Sequence, residues 1–254
     1  MRRLCAGLAA AAAAAVVLAQ NAPRKDMQLF LLIGQSNMAG RGPIGAQDKE
    51  PIPGVFALNK EMAWAPAIDP LHFDKPDIAG VGIGRSFAKT LLAADPGASI
   101  GLIPAAFGGT SLDEWKPDGK LYSDAVDRAR EAMKAGKLRG ILWHQGENDS
   151  AKEDLARSYR ERFAAMIARL RSDLGAGEVP VVVGELGEFH AGAFDAVVND
   201  QLAIVPQKVP RSAFVSSGGL TDKGDRTHFD TRSLHEFGRR YALAFMSLDA
   251  TWGR

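Results

Sequence analysis

The sequence predicts an α/β fold in which a mostly parallel sheet is covered by helices on both faces. Three observations point there. Short, continuous apolar runs recur along the chain, as expected of strands buried on both faces. Amphipathic stretches with apolar residues every three or four positions separate them. The two kinds of segment alternate, the order that parallel strands joined by helical crossovers require.

The first strand is Met27-Gln-Leu-Phe-Leu-Leu-Ile33, ended by Gly34. Similar runs follow at Ala98–Ile103, Leu138–Trp143, Val179–Gly184 and, more weakly, Ala213–Ser216. Between them, Leu155, Tyr159, Phe163, Met166, Leu170 and Leu174 mark one face of a helix whose other face carries Arg and Glu. Phe237, Tyr241, Phe245 and Leu248 repeat the device near the C-terminus. Arg85–Ala94, Tyr122–Ala135 and Phe194–Ile204 are shorter helical candidates. No internal repeat or low-complexity segment interrupts the alternation after the N-terminal region.

The 254 residues suffice for one domain with a sizeable core. At 46% hydrophobic and 24% charged residues the composition is that of an ordinary globular protein. The 31 Lys and Arg nearly cancel the 30 Asp and Glu, so no net field draws the chain to nucleic acid.

The first 19 residues read differently. Met1-Arg-Arg precedes an alanine-rich apolar run from Leu4 to Leu18, and Val17-Leu18-Ala19 offers a small-residue cleavage pattern. This describes a secretory signal peptide cut after Ala19, with residues 20–254 forming one domain. The run is too short and too rich in alanine to insert well as a membrane anchor. The surroundings of Arg2-Arg3 fit a twin-arginine signal poorly. Cys5 lies at the wrong end of the run for a lipoprotein. Cleavage leaves 29 of the 31 bases against 30 acids and removes the only cysteine. The mature chain is therefore expected to be exported, periplasmic or extracellular, with no disulfide, no thiolate nucleophile and no lasting membrane association.

In open parallel sheets ligands bind beyond the carboxyl ends of the strands. The residues there are Gly34-Gln-Ser-Asn-Met-Ala-Gly40, Pro104-Ala-Ala-Phe-Gly-Gly-Thr-Ser-Leu-Asp-Glu-Trp115 and His144-Gln-Gly-Glu-Asn-Asp149. Asp222-Lys-Gly-Asp-Arg-Thr-His-Phe229 precedes the last helix. Ester hydrolysis needs a hydroxyl nucleophile, a base, an orienter for that base and donors for a developing oxyanion. Ser36, His228 and Asp225 have the right types, with Gly108 or Gly109 allowing close backbone approach and Gln145 offering a side-chain amide. Singly, each has a plainer reading: Ser36 as an N-cap, His228 as a surface histidine, the glycine pair as a turn and Gln145 as a loop tie. Their placement after successive strands favours the joint reading.

The four segments resemble blocks of the SGNH hydrolases, in the sialate O-acetylesterase and acetylxylan-esterase branch (carbohydrate esterase family six). Gly34-Gln-Ser-Asn-Met looks like the nucleophile block, and Phe107-Gly-Gly-Thr-Ser with Glu114-Trp115 looks like the glycine block. Trp143-His-Gln-Gly-Glu is similar to the third block. Asp225-Arg-Thr-His228-Phe, followed by Gly238-Arg-Arg-Tyr-Ala, is similar to the last. The resemblance spans residues 27 to about 247. It implies a three-layer α/β/α sandwich of flavodoxin-like type and a serine esterase removing acetyl groups from carbohydrates without metal or cofactor. It implies Ser36 as nucleophile, His228 as base and Asp225 as its partner. The oxyanion would be held by the N–H of Ser36, that of Gly108 or Gly109, and the Gln145 amide. Gln35, Asn37, Arg41, Trp115 and Glu147 are candidates for contacting the sugar, Arg41 alternatively pairing with an acid.

Other readings carry less. Gly80-Val-Gly-Ile-Gly84 has no preceding strand and the wrong spacing for a dinucleotide loop. His235-Glu236 lacks a zincin's second histidine, and His72, His144 and His190 show no ligand spacing, so no metal is expected. Trp143 is expected in the core. A lipid- or thioester-directed hydrolase and a non-catalytic carbohydrate-binding protein are the alternatives of function. The polar flanks Asp113-Glu-Trp and Glu147-Asn-Asp argue against an acyl groove, and the full set of reactive residue types argues against a dead site.

Overall fold

The computed structural model describes residues 25–253. The segment read as a signal peptide, with Cys5 and the cleavage position after Ala19, lies outside the described residues. Strand β1 runs Met27–Gly34, and all of it except Gln28 is buried. Its parallel neighbours are β4 (Ile100–Pro104) and β5 (Gly136–His144). Beyond β5 lie β6 (Val181–Gly184) and β7 (Ser212–Val215), both parallel. On the other side come β2 (Val55–Leu58), parallel to β4, and β3 (Trp64–Pro66), antiparallel to β2. The order is β3-β2-β4-β1-β5-β6-β7.

Five of these strands stand where the apolar runs predict them. Strands β2 and β3 carry no signal of comparable length, at four and three residues. Pro66 is tolerated in β3 because an edge strand leaves one side unpaired. The run expected from Val179 enters the ladder only at Val181, since Pro180 has no N–H to give and instead accepts from the Ile141 N–H at 2.9 Å.

Successive residues of β1 point into two cores. Phe30 and Leu32 join Phe87, Phe237 and Phe245 from α2 (Gly84–Ala94) and α6 (Thr231–Leu248). Leu29, Leu31 and Ile33 join Trp143, Phe163 and Val198 on the opposite face. That face is covered by α3 (Lys120–Ala132), α4 (Glu153–Asp173) and α5 (Asp195–Ala203). The result is a three-layer α/β/α sandwich. Phe30 meets Phe87 and Phe245 edge-on at 4.9 and 5.0 Å between ring centres. Full burial of one such side chain stabilises the fold by about 1.5–3 kcal/mol.

The register aligns the strand ends. Leu32 stands beside Pro104, Ile33 beside Trp143 and Gly34 beside His144. The chain therefore leaves β1, β4 and β5 at one level, and three of the polar turns emerge side by side. Gly34 has φ +130°, and a Cβ on it would run into the His144 carbonyl oxygen. Only glycine lets β1 turn this close to β5. The turn feeds α1 (Ser36–Ala39), a single helical turn that begins with the serine.

Candidate active site

The segment Asp222–Phe229 folds back on itself as a compact loop. Asp222 and Phe229 pair as an isolated bridge, and the Lys223 N–H donates to the His228 carbonyl at 2.9 Å. Inside the loop, Asp225 Oδ1 accepts from the N–H groups of Thr227 and His228 at 3.0 and 2.8 Å. Asp225 Oδ2 lies 2.7 Å from His228 Nδ1, and His228 Nε2 lies 3.0 Å from Ser36 Oγ. An ionised carboxylate only accepts, so Nδ1 carries the imidazole proton and Nε2 is left to accept from the serine. Burial would lift the Asp225 carboxyl, but its bonds from His228 and the backbone outweigh this and hold it well below the usual carboxylate range. Ser36, His228 and Asp225, 192 residues apart at the extremes of this trio, thus form one continuous relay.

Asn37 fastens the two halves together. Its Nδ2 donates to the Thr227 carbonyl at 3.0 Å and to Glu147 Oε1 at 2.6 Å, while its Oδ1 accepts from the Phe229 N–H at 3.1 Å. The residue after the serine therefore grips both peptide neighbours of His228. Burial pushes the Glu147 carboxyl up, but His144 at 3.7 Å and the Asn37 amide outweigh it and hold the group below its ordinary value.

Among the described residues, the backbone N–H groups of Ser36 and Gly109 have no hydrogen-bond partner. The Gly108 N–H instead donates to Asp74 Oδ2 at 2.8 Å, and Arg41 Nη2 donates to the same oxygen at 2.5 Å. A Cβ on Gly108 would strike Arg41 and stand 3.3 Å from Ser36 Cβ, so the glycine permits the turn to lie against the nucleophile. Burial would lift the Asp74 carboxyl, yet the bonds from Arg41 and Gly108 hold it low.

The sequence profile of the carbohydrate esterases described as sialic acid-specific acetylesterases matches residues 26–247. The chain belongs to this family. The probable carbohydrate esterase At4g34215 of Arabidopsis thaliana is 34% identical over 245 residues, 89% of this chain and 92% of its own. The crystal structure of that Arabidopsis protein superposes with a TM-score of 0.82 at 30% identity, over 87% of this chain and 98% of the other. The crystal structure of NanS gives a TM-score of 0.75 at 18% identity, over 90% and 99% of the two chains. XAC1771, a carbohydrate acetylesterase from Xanthomonas citri, gives 0.66 at 22%, over 87% of this chain and 56% of its own. The last two likenesses show the shared three-layer fold.

Several side chains of this esterase face elsewhere than the sequence suggests. Gln145 is fully buried, and its Nε2 lies within 2.7 Å of Asp149 Oδ2, 3.1 Å of the Thr110 carbonyl and 3.2 Å of Gln35 Oε1. Its Oε1 accepts from the Tyr159 hydroxyl at 2.8 Å. Three acceptors already surround two hydrogens, so the amide ties the second and third turns together rather than facing an incoming carbonyl. Gly108, expected as a candidate donor, is likewise committed to Asp74. Trp115 does not line a sugar site: it is 1% exposed, packs edge-on against Trp143 at 5.5 Å and donates to Thr110 Oγ1. Arg41 is paired with Asp74, and Gln35 and Asn37 are internal. Of the five sugar-contact candidates, Glu147 borders an open cavity, shared with His190, Asp225 and Thr227.

Asp74 lies in no motif that a reading of the sequence can find, and Asp149 closes the third polar turn without a role the sequence assigns. Asp149 is buried and accepts from Gln145, from the Leu112 N–H at 2.8 Å and from Arg162 at 2.6 Å. The Gly80–Gly84 segment packs on backbone: Gly42 bridges to Val81, and a Cβ on Gly80 would enter the Gly42 carbonyl.

Proposed function

We propose that this carbohydrate esterase removes O-acetyl groups from sugars by a two-step acyl transfer on Ser36. Family membership makes the chain a carbohydrate esterase; the Ser36–His228–Asp225 relay is the single observation that carries the mechanism. Ser36 Oγ attacks the acetyl carbonyl carbon while its proton passes to His228 Nε2, and Asp225 stabilises the imidazolium. The carbonyl oxygen takes the negative charge, and the free N–H groups of Ser36 and Gly109 are the donors available to meet it. Collapse breaks the bond to the sugar oxygen, which takes the proton from His228. Water then gives a proton to His228 and attacks the acetyl-serine, releasing acetate and restoring the hydroxyl. Acetate release from acetylated sugars by wild-type and Ser36→Ala protein tests this: the variant should be inactive while folded, and near-normal turnover would remove Ser36 from the mechanism.

Export belongs to the same proposal, supported by the Arg-Arg head, the alanine-rich run and Val17-Leu18-Ala19. Mass spectrometry of secreted protein should find a mature chain, residues 20–254 as one domain, beginning near Gln20. Retention of the full-length chain in the cytoplasm would refute it.

A further inference from the structure

Beside the Gly108 turn the surface opens into a cavity of about 400 Å³ that the relay does not use. Its volume falls within the range of small-molecule sites, about 300–1,000 Å³. Phe107 stands at its edge and is 40% exposed, unusual for a large aromatic group immediately preceding a turn held against the nucleophile. Phe73 lines the same cavity, and the Arg128 guanidinium lies over its ring at 4.6 Å from the centre. Arg128 is itself fastened to the carbonyls of Pro104 and Leu58 at 2.7 and 2.6 Å, so this wall is rigid. Lys120, Asp124 and Asp127 supply charged groups around the aromatic surfaces.

The cavity adjoins the candidate active site through Asp74 and through Phe107, the residue before Gly108. Asp74 lines it and also accepts the Gly108 N–H, and Gly108 lies against Ser36. Resting on the acetylesterase reading above, we propose that this cavity binds the sugar chain adjoining the acetylated residue, which makes the preferred substrate an acetylated oligo- or polysaccharide rather than a free sugar. A pyranose offers a C–H face that fits an aromatic surface and hydroxyls that reach charged groups around it. An acyl chain would cover Asp124, Asp127 and Lys120 without offering them any hydrogen bond, which costs free energy. Charged partners strengthen hydrogen bonds from hydroxyls. The charged groups of Lys120, Asp124 and Asp127 around the apolar lining therefore favour sugar over lipid.

The test compares acetate release from acetylated xylose and mannose with release from the corresponding acetylated tetrasaccharides, and runs 4-nitrophenyl acetate and octanoate alongside. On at least one backbone kcat/KM should rise tenfold or more from mono- to tetrasaccharide, mainly through KM. Phe107→Ala should lower the tetrasaccharide value at least tenfold more than the monosaccharide value. Asp124→Ala, a change at an exposed side chain, should do the same about threefold. Equal kcat/KM for short and long sugars, or equal losses on both in the two variants, overturns the inference and leaves the esterase reading standing. Preference for the octanoate that Phe107→Ala abolishes would make the cavity an acyl pocket and also overturn it. Hydrolysis of 4-nitrophenyl acetate with no acetate from any sugar would overturn the esterase reading itself, and the inference with it.

Discussion

Replacing Asn37 with alanine separates the nucleophile from the loop that carries its base. The substitution removes three hydrogen bonds: a partly buried one to the Thr227 carbonyl, and buried ones from the Phe229 N–H and to the Glu147 carboxylate. Each buried group left without a partner costs about 1–3 kcal/mol, so stranding the two buried groups should destabilise the fold by about 2–6 kcal/mol. For a domain of this size about 2–4 °C of melting temperature accompanies each kcal/mol, giving a fall of about 4–24 °C. The kinetic effect has a different origin. Thr227 and Phe229 flank His228, so losing both grips frees the imidazole to move relative to Ser36 Oγ. A displacement of about 1 Å costs about 10²-fold in rate. Hydrolysis of 4-nitrophenyl acetate, measured well below the melting temperature and corrected for folded fraction by circular dichroism, should show kcat about 10²-fold lower with KM changed less than threefold. A kcat within threefold of wild type would refute the reasoning. The loop's own bonds to Asp225 and Lys223 would then suffice to aim the base.

Asp225→Asn should lower kcat by about 10⁴-fold with little change in melting temperature, and a loss below tenfold would remove Asp225 from the relay. Gln145→Ala should lower the melting temperature by about 10 °C and leave kcat of the folded enzyme within tenfold, since its amide is bonded internally. A fall of about 10²–10³-fold in folded enzyme would mean that the amide leaves this network to hold the oxyanion. Burial pushes the Asp69 carboxyl up to about 7, against the pull of Arg85 at 3.5 Å. Its folded-state pKa is therefore raised, so its protonated form contributes stability that is full below about pH 4 and is lost as the pH rises through 7. Asp69→Asn should match wild type in urea unfolding at pH 4 and exceed it at pH 8 by up to about 4 kcal/mol, and a difference independent of pH would refute the account.

Much of the fold was legible because burial on both faces leaves a strand such as Met27–Ile33 continuously apolar. Strands β2 and β3 escaped because segments of four and three residues are too short to form such a run, although β2 is buried between β3 and β4. The relay was legible for a local reason: Asp225 and His228 share one loop, and Ser36 follows a strand directly. The surroundings of Ser36 were not. Gln35, Asn37 and Arg41 are polar neighbours of the nucleophile and read as groups facing a substrate. The single turn of α1 carries Asn37 inward to a loop 190 residues away, and Arg41 goes to Asp74. Buried polar groups find hydrogen-bond partners, but which partner is a property of the assembled chain. Asp74 illustrates the limit, since nothing in its sequence context announces the Gly108 peptide 34 residues later.

Trp252 packs edge-on against Phe30 of β1 at 5.8 Å, and Asp26, Gln28, Thr251 and Gly253 border one cavity. The first and last described residues thus meet at the foot of the central strand, whose eight residues span about 26 Å before the chain reaches Ser36. An anchor, bead or fused module joined at either terminus would hold the molecule by its base and leave the reactive edge facing outward. Immobilisation through either end should accordingly preserve turnover on large, insoluble material, and linking the two ends directly would open new termini elsewhere without parting the relay.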